Sequence, residues 1–250
     1  MRAKKSLGQN FLESKEVLRK TAEALNINEG DTVVEIGPGH GELTEFLKAG
    51  KPKNLIAIEK DESLADLLKQ KFPGIRLISG DALKELENIE LPKDWKLIGN
   101  IPYYITGHLL RIISELPNPP IKTVVLVQKE VAERISALPP KASLLSSMVR
   151  GWAVPEYLFS VPRAHFNPVP NVDSAVISLS KKESPAPKAY FSAARALFSQ
   201  PRKKAANNLS ESLNISKEEA LKLFTSCGIS PDARPQNISD GEVLCLSRLL

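Results

Sequence analysis

Thr32-Val33-Val34-Glu35-Ile36-Gly37-Pro38-Gly39-His40-Gly41-Glu42 is the stretch on which the fold turns. A β-branched run passes directly into a turn with glycines at i, i+2 and i+4, and residues 42–48 then follow a helical period. A nearly continuous apolar run of this length reads as a strand covered on both faces. The glycines allow a sharp turn and a close approach of backbone to ligand. A dinucleotide fingerprint would need glycine at i+5, where Glu42 stands. An acid in the first helical turn also opposes a pyrophosphate at the helix N-terminus. No Gly-Lys-Ser/Thr follows, so the turn suits a ligand other than a phosphate.

Four more runs of the same kind lie downstream, at 54–59, 76–79, 96–99 and 123–128. Helical patterns separate them at 63–72 and 107–115, one follows the last at 129–135, and another precedes the first strand at 15–25. Ser63, after an acidic pair, is placed to cap its helix. This alternation predicts an α/β fold, a doubly wound parallel sheet of Rossmann-like form. Runs 153–161 and 174–179, joined by a Pro-rich loop, read as an antiparallel hairpin at one edge. Glu183-Ser184-Pro185-Ala186-Pro187 is a linker by composition. Beyond it 189–199, 205–213, 217–227 and 241–249 all have helical period. The expected domains are therefore 1–182, holding the ligand, and 183–250, small and all-helical.

Ligands of such sheets bind at the carboxyl ends of the strands, near the switch in strand order. The second strand ends in Glu59, whose carboxylate can accept both hydrogens of a ribose diol. The third runs into Gly80-Asp81-Ala82, which places Asp81 to accept from an adenine amine. Either acid alone would serve equally well as a helix cap or a solvated charge. Together with Gly37, Gly39 and Gly41 they describe a site for a single nucleoside. The fourth strand ends in Asn100-Ile101-Pro102-Tyr103-Tyr104. An aromatic amine is a poor nucleophile because its lone pair is delocalised into the ring. The Asn100 oxygen and a main-chain carbonyl can accept its hydrogens, and Tyr103 can stack on a base taken out of its helix. Read as a turn alone, Asn100 and Pro102 would simply end a strand.

The chain has 250 residues and a net charge of +5. Residues 181–204 carry seven basic side chains against the single acid Glu183, so this window exceeds the whole chain's excess. A basic patch beside a neutral body suits a phosphate backbone, and it would also suit a solvated linker and helix face. Three scattered histidines, His40, His108 and His165, offer no metal-ligand spacing, and no metal is expected. No run approaches the ~20 apolar residues of a membrane span. The basic Met1-Arg2-Ala3-Lys4-Lys5 is not followed by an apolar run, so a cytoplasmic protein is expected, with no membrane partner. Cys227 and Cys245 are compatible with one disulfide, and the cytoplasmic expectation favours two free thiols.

Asn100-Ile101-Pro102-Tyr103 resembles the Asn/Asp-Pro-Pro-Tyr/Phe box of amino-methylating enzymes. Its aliphatic second residue and single proline resemble the ribosomal RNA adenine dimethyltransferases in particular. The likeness spans nearly the whole chain. Leu7-Gly8-Gln9-Asn10-Phe11-Leu12 matches a family stretch that folds over the methionine end of S-adenosylmethionine, which implies contacts from Gln9, Asn10 and Leu12. Val127-Gln128-Lys129-Glu130-Val131-Ala132-Glu133-Arg134 matches after the fifth strand, with a structural role. Phe166-Asn167-Pro168-Val169-Pro170-Asn171-Val172-Asp173-Ser174 is similar to the family's Phe-x-Pro-x-Pro-x-Val-x-Ser, which implies that Phe166 walls the adenine pocket opposite Tyr103. The segment 198–209, FSQPRKKAANNL, resembles a basic helix entry and implies that Arg202, Lys203 and Lys204 meet RNA phosphates.

The resemblance implies a class I methyltransferase that dimethylates N6 of two adjacent adenosines near the 3′ end of small-subunit rRNA. An immature 30S subunit would be the partner and the protein a monomer. Two stretches depart from the family. Lys141-Ala142-Ser143-Leu144-Leu145 stands where a Tyr-Gly pair is usual, and Arg234-Pro235-Gln236-Asn237-Ile238-Ser239 follows the pattern loosely. Two rivals stay open: an erythromycin-resistance-type enzyme acting on large-subunit rRNA, and an assembly factor with the fold but without catalysis. The Pro-linked C-terminal region favours the small-subunit enzyme over the first. The complete set Gly37, Gly39, Gly41, Glu59, Asp81 and Asn100 argues against the second.

Overall fold

A computed structural model describes Lys4 and residues 7–250; of the basic N-terminal stretch, residues 1–3 and 5 lie outside it. The chain divides into two compact units, one running to Ala132 and including Glu156–Lys181, the other made of Glu133–Pro155 and Lys182–Leu250.

The strands β2 (Thr32–Ile36), β3 (Asn54–Glu59), β4 (Arg76–Ser79), β5 (Trp95–Asn100), β6 (Lys122–Gln128), β7 (Ala153–Val161) and β9 (Ser174–Lys181) form a seven-stranded sheet in the order β4-β3-β2-β5-β6-β9-β7. The pairs β2·β3, β3·β4, β2·β5 and β5·β6 are parallel and β6·β9 is antiparallel. Every residue of β2 is buried, Glu35 included, as expected of a strand with cover on both faces. The helices α1 (Lys15–Ala24), α2 (Glu42–Ala49), α3 (Glu62–Lys71), α4 (Ala82–Asn88), α5 (Thr106–Glu115) and α6 (Lys129–Ser136) follow in chain order. Strand order reverses between β2 and β5, so Gly37 and Asn100 leave neighbouring strand ends at the switch point.

Two short strands escape sequence reading. β1 (Phe11–Leu12) pairs antiparallel with β8 (Phe166–Asn167), setting Leu12 opposite Phe166. The Glu13 N–H bonds the His165 carbonyl at 2.8 Å, and Asn167 Nδ2 donates to Glu13 Oε1 at 2.9 Å. The N-terminal segment is thereby tied to the Pro-rich loop. α4 is also unanticipated by the apolar pattern. The cap of α3 is Asp61, whose carboxylate accepts the Ser63 N–H at 3.1 Å; Ser63, expected to be the cap, lies inside the helix.

The second unit holds α7 (Leu144–Arg150), α8 (Lys188–Leu197), α9 (Ala205–Leu213), α10 (Lys217–Ser226) and α11 (Asp240–Leu249). Tyr190, Leu197, Leu209, Phe224, Val243 and Leu246 are central to its core. Ser216 with Glu219 and Ser239 with Glu242 make capping boxes that start α10 and α11. Sequence reading begins this unit after residue 182, yet 133–155 belongs to it as well. Ala142 and Met148 pack on its core, Arg150 Nε pairs with Asp240 Oδ2 at 3.1 Å, and the Tyr190 hydroxyl reaches both Asp240 at 3.0 Å and the Ser147 carbonyl at 3.1 Å. Both stretches that depart from the family begin helices, Ser143 capping α7 and Ser239 capping α11. Cys227 and Cys245 form a disulfide, against the expectation of free thiols. They are 18 residues apart, but the end of α10 meets the middle of α11 and brings their Cα atoms to 5.8 Å, within bridging distance. Among the described residues no helix is long and apolar enough to cross a membrane.

Candidate active site

A cleft enclosing about 980 Å³, part of it open to solvent, lies over the carboxyl ends of β2–β5. Gln9, Asn10, Gly37, Gly39, Glu59, Asp81, Asn100, Pro102 and Tyr103 all line it. Nine residues singled out by sequence thus converge from segments up to 94 positions apart.

The glycine turn is shaped by backbone need. Gly39 has φ +62°, and a Cβ there would press on the Phe11 ring at 3.0 Å. Gly41, also expected at the ligand, plays a different part. It is the N-cap of α2 at φ +87°, and a Cβ would collide with the Phe72 ring. Gly41 is therefore required by helix packing and does not line the cleft.

Glu59 is 6% exposed and accepts the Gly39 N–H at 3.2 Å and the Asp61 N–H at 2.9 Å. Burial raises its pKa above the usual carboxylate range, while these backbone bonds pull it back. One backbone donor on each oxygen leaves lone pairs for a diol. Asp81 caps α4 by accepting the Leu83 N–H at 3.0 Å, and pairs with Lys60 Nζ at 2.8 Å. Burial would raise its pKa, but Lys60 and the Leu83 N–H outweigh it and hold the carboxyl low. The capping and ligand readings of Asp81 are compatible, since it faces the cleft as an ionised acceptor. Ile36, Ile58, Leu83 and Ile101 supply apolar lining between the two acids. The acceptors and the apolar lining fit a nucleoside.

Asn100 Nδ2 donates to the Asn10 carbonyl at 2.9 Å. That bond fixes the amide's orientation and leaves Oδ1 as the acceptor. Tyr103 is half-buried on the cleft wall, its hydroxyl 2.7 Å from Ser174 Oγ. Tyr104, next to it, is 63% exposed.

Phe166 and Leu12 are placed differently from what the resemblance implied. Phe166 is 2% exposed and Leu12 5%, and both pack in the hydrophobic core with Leu18, Leu43 and Leu126. Phe166 lines no part of the cleft, and Leu12 reaches only a smaller hollow behind the glycine turn. Their pairing across β1 and β8 makes them the anchor of the N-terminal segment. Sequence reading missed Asp61, which is 3% exposed and receives Lys4 Nζ at 2.7 Å and Gln9 Nε2 at 3.1 Å. Burial would raise the Asp61 pKa, but Lys4, Ser63 and Gln9 hold it well below the carboxylate range. Phe11, stacked at a tilt on His40 at 4.2 Å, was missed too. No local pattern marks these contacts, since Lys4 and Gln9 lie far from Asp61 along the chain, and His40 far from Phe11.

In the helical unit, Lys203 pairs with Glu211 at 2.9 Å and Lys204 with Asp232 at 2.5 Å. Arg202 is exposed and makes no ion pair among the described residues. Exposed pairs of this kind contribute roughly 0–1 kcal/mol, so both lysines can exchange their partner for a phosphate.

The sheet, with an antiparallel strand inserted beside its last parallel one, and a nucleoside-shaped cleft at the switch point together define a class I methyltransferase. The family model "Ribosomal RNA adenine dimethylase" matches residues 1–250, and the chain belongs to that family. A "Ribosomal RNA small subunit methyltransferase A" from Dehalococcoides mccartyi (strain CBDB1) is 40% identical, covering 98% of this chain and 88% of its own. A crystal structure of a dimethyladenosine transferase from Plasmodium falciparum superposes with TM-score 0.80 at 26% identity, covering 94% of this chain and 95% of that one. The 23S rRNA methyltransferase ErmE superposes with TM-score 0.77 at 25% identity, covering 95% and 98%.

Proposed function

We propose that this chain transfers methyl groups from S-adenosylmethionine to N6 of two adjacent adenosines in the 3′-terminal hairpin of small-subunit rRNA, making both dimethyladenosine. The observation that carries this reading is the convergence of Gly37 and Gly39, Glu59, Asp81 and Asn100 on one cleft at successive strand ends. When bound, S-adenosylmethionine supplies an electrophilic methyl on a sulfonium that leaves as a neutral thioether. Glu59 would hold the ribose diol and Asp81 the adenine amine, with Gln9 and Asn10 closing over the far end. Asn100 Oδ1 accepts a hydrogen of the target N6 and draws electron density onto the nitrogen. Tyr103 stacks on the extruded base. With S-adenosylmethionine bound, the N6–C bond would form as the S–C bond breaks, and the proton shed by N6 would pass to water. Positioning supplies most of the acceleration because the leaving group is already good. Phe166 enters this reading as the anchor of the N-terminal segment, and Tyr103 is the aromatic wall.

The relatives' small-subunit name at 40% identity supports the small over the large subunit as substrate. Arg202, Lys203 and Lys204 would bind rRNA phosphates of an immature 30S subunit in the cytoplasm. The test is methyl transfer to small subunits lacking the modification, with the product nucleoside identified by mass. Dimethyladenosine at the paired positions is expected with the wild type, and Asn100→Ala should lose on the order of 10²-fold or more in rate. Modification confined to large-subunit rRNA would assign the erythromycin-resistance-type activity instead. Failure to bind S-adenosylmethionine would leave an assembly factor.

A further inference from the structure

Ser174 opens β9 with none of its surface exposed, paired in register with Gln128 of β6. A hydroxyl buried in a sheet costs free energy unless it is hydrogen-bonded. Among the described residues its Oγ has one side-chain partner, the Tyr103 hydroxyl at 2.7 Å, from a residue 71 positions away. The strand start that carries Ser174 is itself held. The Lys129 N–H bonds the Asp173 carbonyl at 3.0 Å, and Asp173 Oδ1 accepts the Arg163 N–H at 2.9 Å. Tyr103, by contrast, sits in a three-residue 3₁₀ turn, Tyr103–Ile105, on the loop after β5. Such a turn does little to hold a ring by itself, as the exposure of Tyr104 on the same turn illustrates.

We infer that Ser174 is a positioning residue for base recognition: its hydroxyl tethers Tyr103 so that the ring presents one fixed face to the cleft. This rests on the proposed adenine transfer and adds how the stacking wall is held. The Pro-rich segment 166–174 then serves the cleft through its last residue, while Phe166 serves the core. Burial, aided by the neighbouring Asp173 charge, keeps Tyr103 a neutral phenol able to donate in this bond. A tethered ring meets the extruded base without first losing side-chain freedom, so the bond acts on RNA turnover and leaves S-adenosylmethionine binding alone.

The experiment is a cycle of Ser174→Ala, Tyr103→Phe and the double variant. It measures kcat and KM for unmodified small subunits, cofactor affinity and melting temperature. Tyr103→Phe keeps the ring and removes only the tether. Each single variant should lower kcat/KM by about 2- to 10-fold, the range of one hydrogen bond. The double variant should fall no further, cofactor affinity should stay at the wild-type value, and Ser174→Thr, which keeps the hydroxyl, should restore turnover. Losses that multiply in the double variant, or no loss in Tyr103→Phe, would overturn the tether. A loss in Ser174→Ala that tracks cofactor affinity or melting temperature would do the same, by reducing Ser174 to a structural residue. Wild-type protein that methylates no adenine would overturn the proposed function, and this inference with it.

Discussion

Glu35→Gln should stabilise the protein, and do so more as pH rises. Glu35 sits in the middle of the sheet, opposite Ala57 of β3 and Ile98 of β5, and is 1% exposed. Its Oε2 accepts from Thr44 Oγ1 at 2.6 Å, and Oε1 has no partner among the described residues. Burial pushes its pKa from 4.5 up to about 8, Thr44 opposing and the Glu42 and Glu59 charges adding a little. The folded state therefore keeps a proton that the unfolded state releases above pH 4.5. Stability from this group is full below that pH, falls as pH rises, and levels off above 8. At about 1.4 kcal/mol per pH unit, the penalty is about 1 kcal/mol at pH 5, about 3 at pH 7 and at most about 5 above pH 8. Glutamine matches the protonated acid in shape and charge and can keep the Thr44 bond. Urea unfolding of both proteins at pH 5, 7 and 8.5 should show a gap that widens with pH at unchanged m. A gap that stays constant, or reverses sign, would refute a neutral buried Glu35.

Asp61→Ala should free Lys4 and Gln9 and weaken S-adenosylmethionine binding by about 10-fold, measured by calorimetry; unchanged affinity would separate this latch from the cleft. Reversing Arg202, Lys203 and Lys204 to Glu should weaken RNA binding and flatten its dependence on salt, with about 0.7–0.9 lost from the slope per phosphate contact removed. An unaltered slope in a filter-binding titration would exclude that cluster. Reducing the Cys227–Cys245 bridge, which spans 18 residues, should destabilise the helical unit by about 3 kcal/mol in denaturant, whereas an unmoved midpoint would show the bridge to be dispensable.

Where sequence reading of the fold succeeded, the signal was local and repeated. A buried parallel strand must be apolar almost throughout, so β2 and β3 lie at the residues their composition marks. Helix ends were less legible, since a cap depends on backbone geometry; Asp61 caps α3 where Ser63 was expected. In the site, Glu59, Asp81 and Asn100 could be read because each lies at or just past the carboxyl end of a strand, and all strands of a parallel sheet present that end to the same side.

The amino-acid sequence by itself thus determined the sheet, the end of it that binds, and the acceptors and aromatic gathered there. Only the tertiary structure decided what each residue touches. It turned Phe166 and Leu12 into a core anchor, put Gly41 under Phe72, and joined Asp61 to Lys4 and Gln9. It also drew 133–155 into the helical unit, bridged the cysteines, and set Ser174 against Tyr103. The physical reason is range. Hydrophobic period and turn chemistry act over a few residues and are written in order along the chain. A hydrogen bond, ion pair or packed ring depends on distance in space, and partners 52 and 71 positions apart leave no period to read.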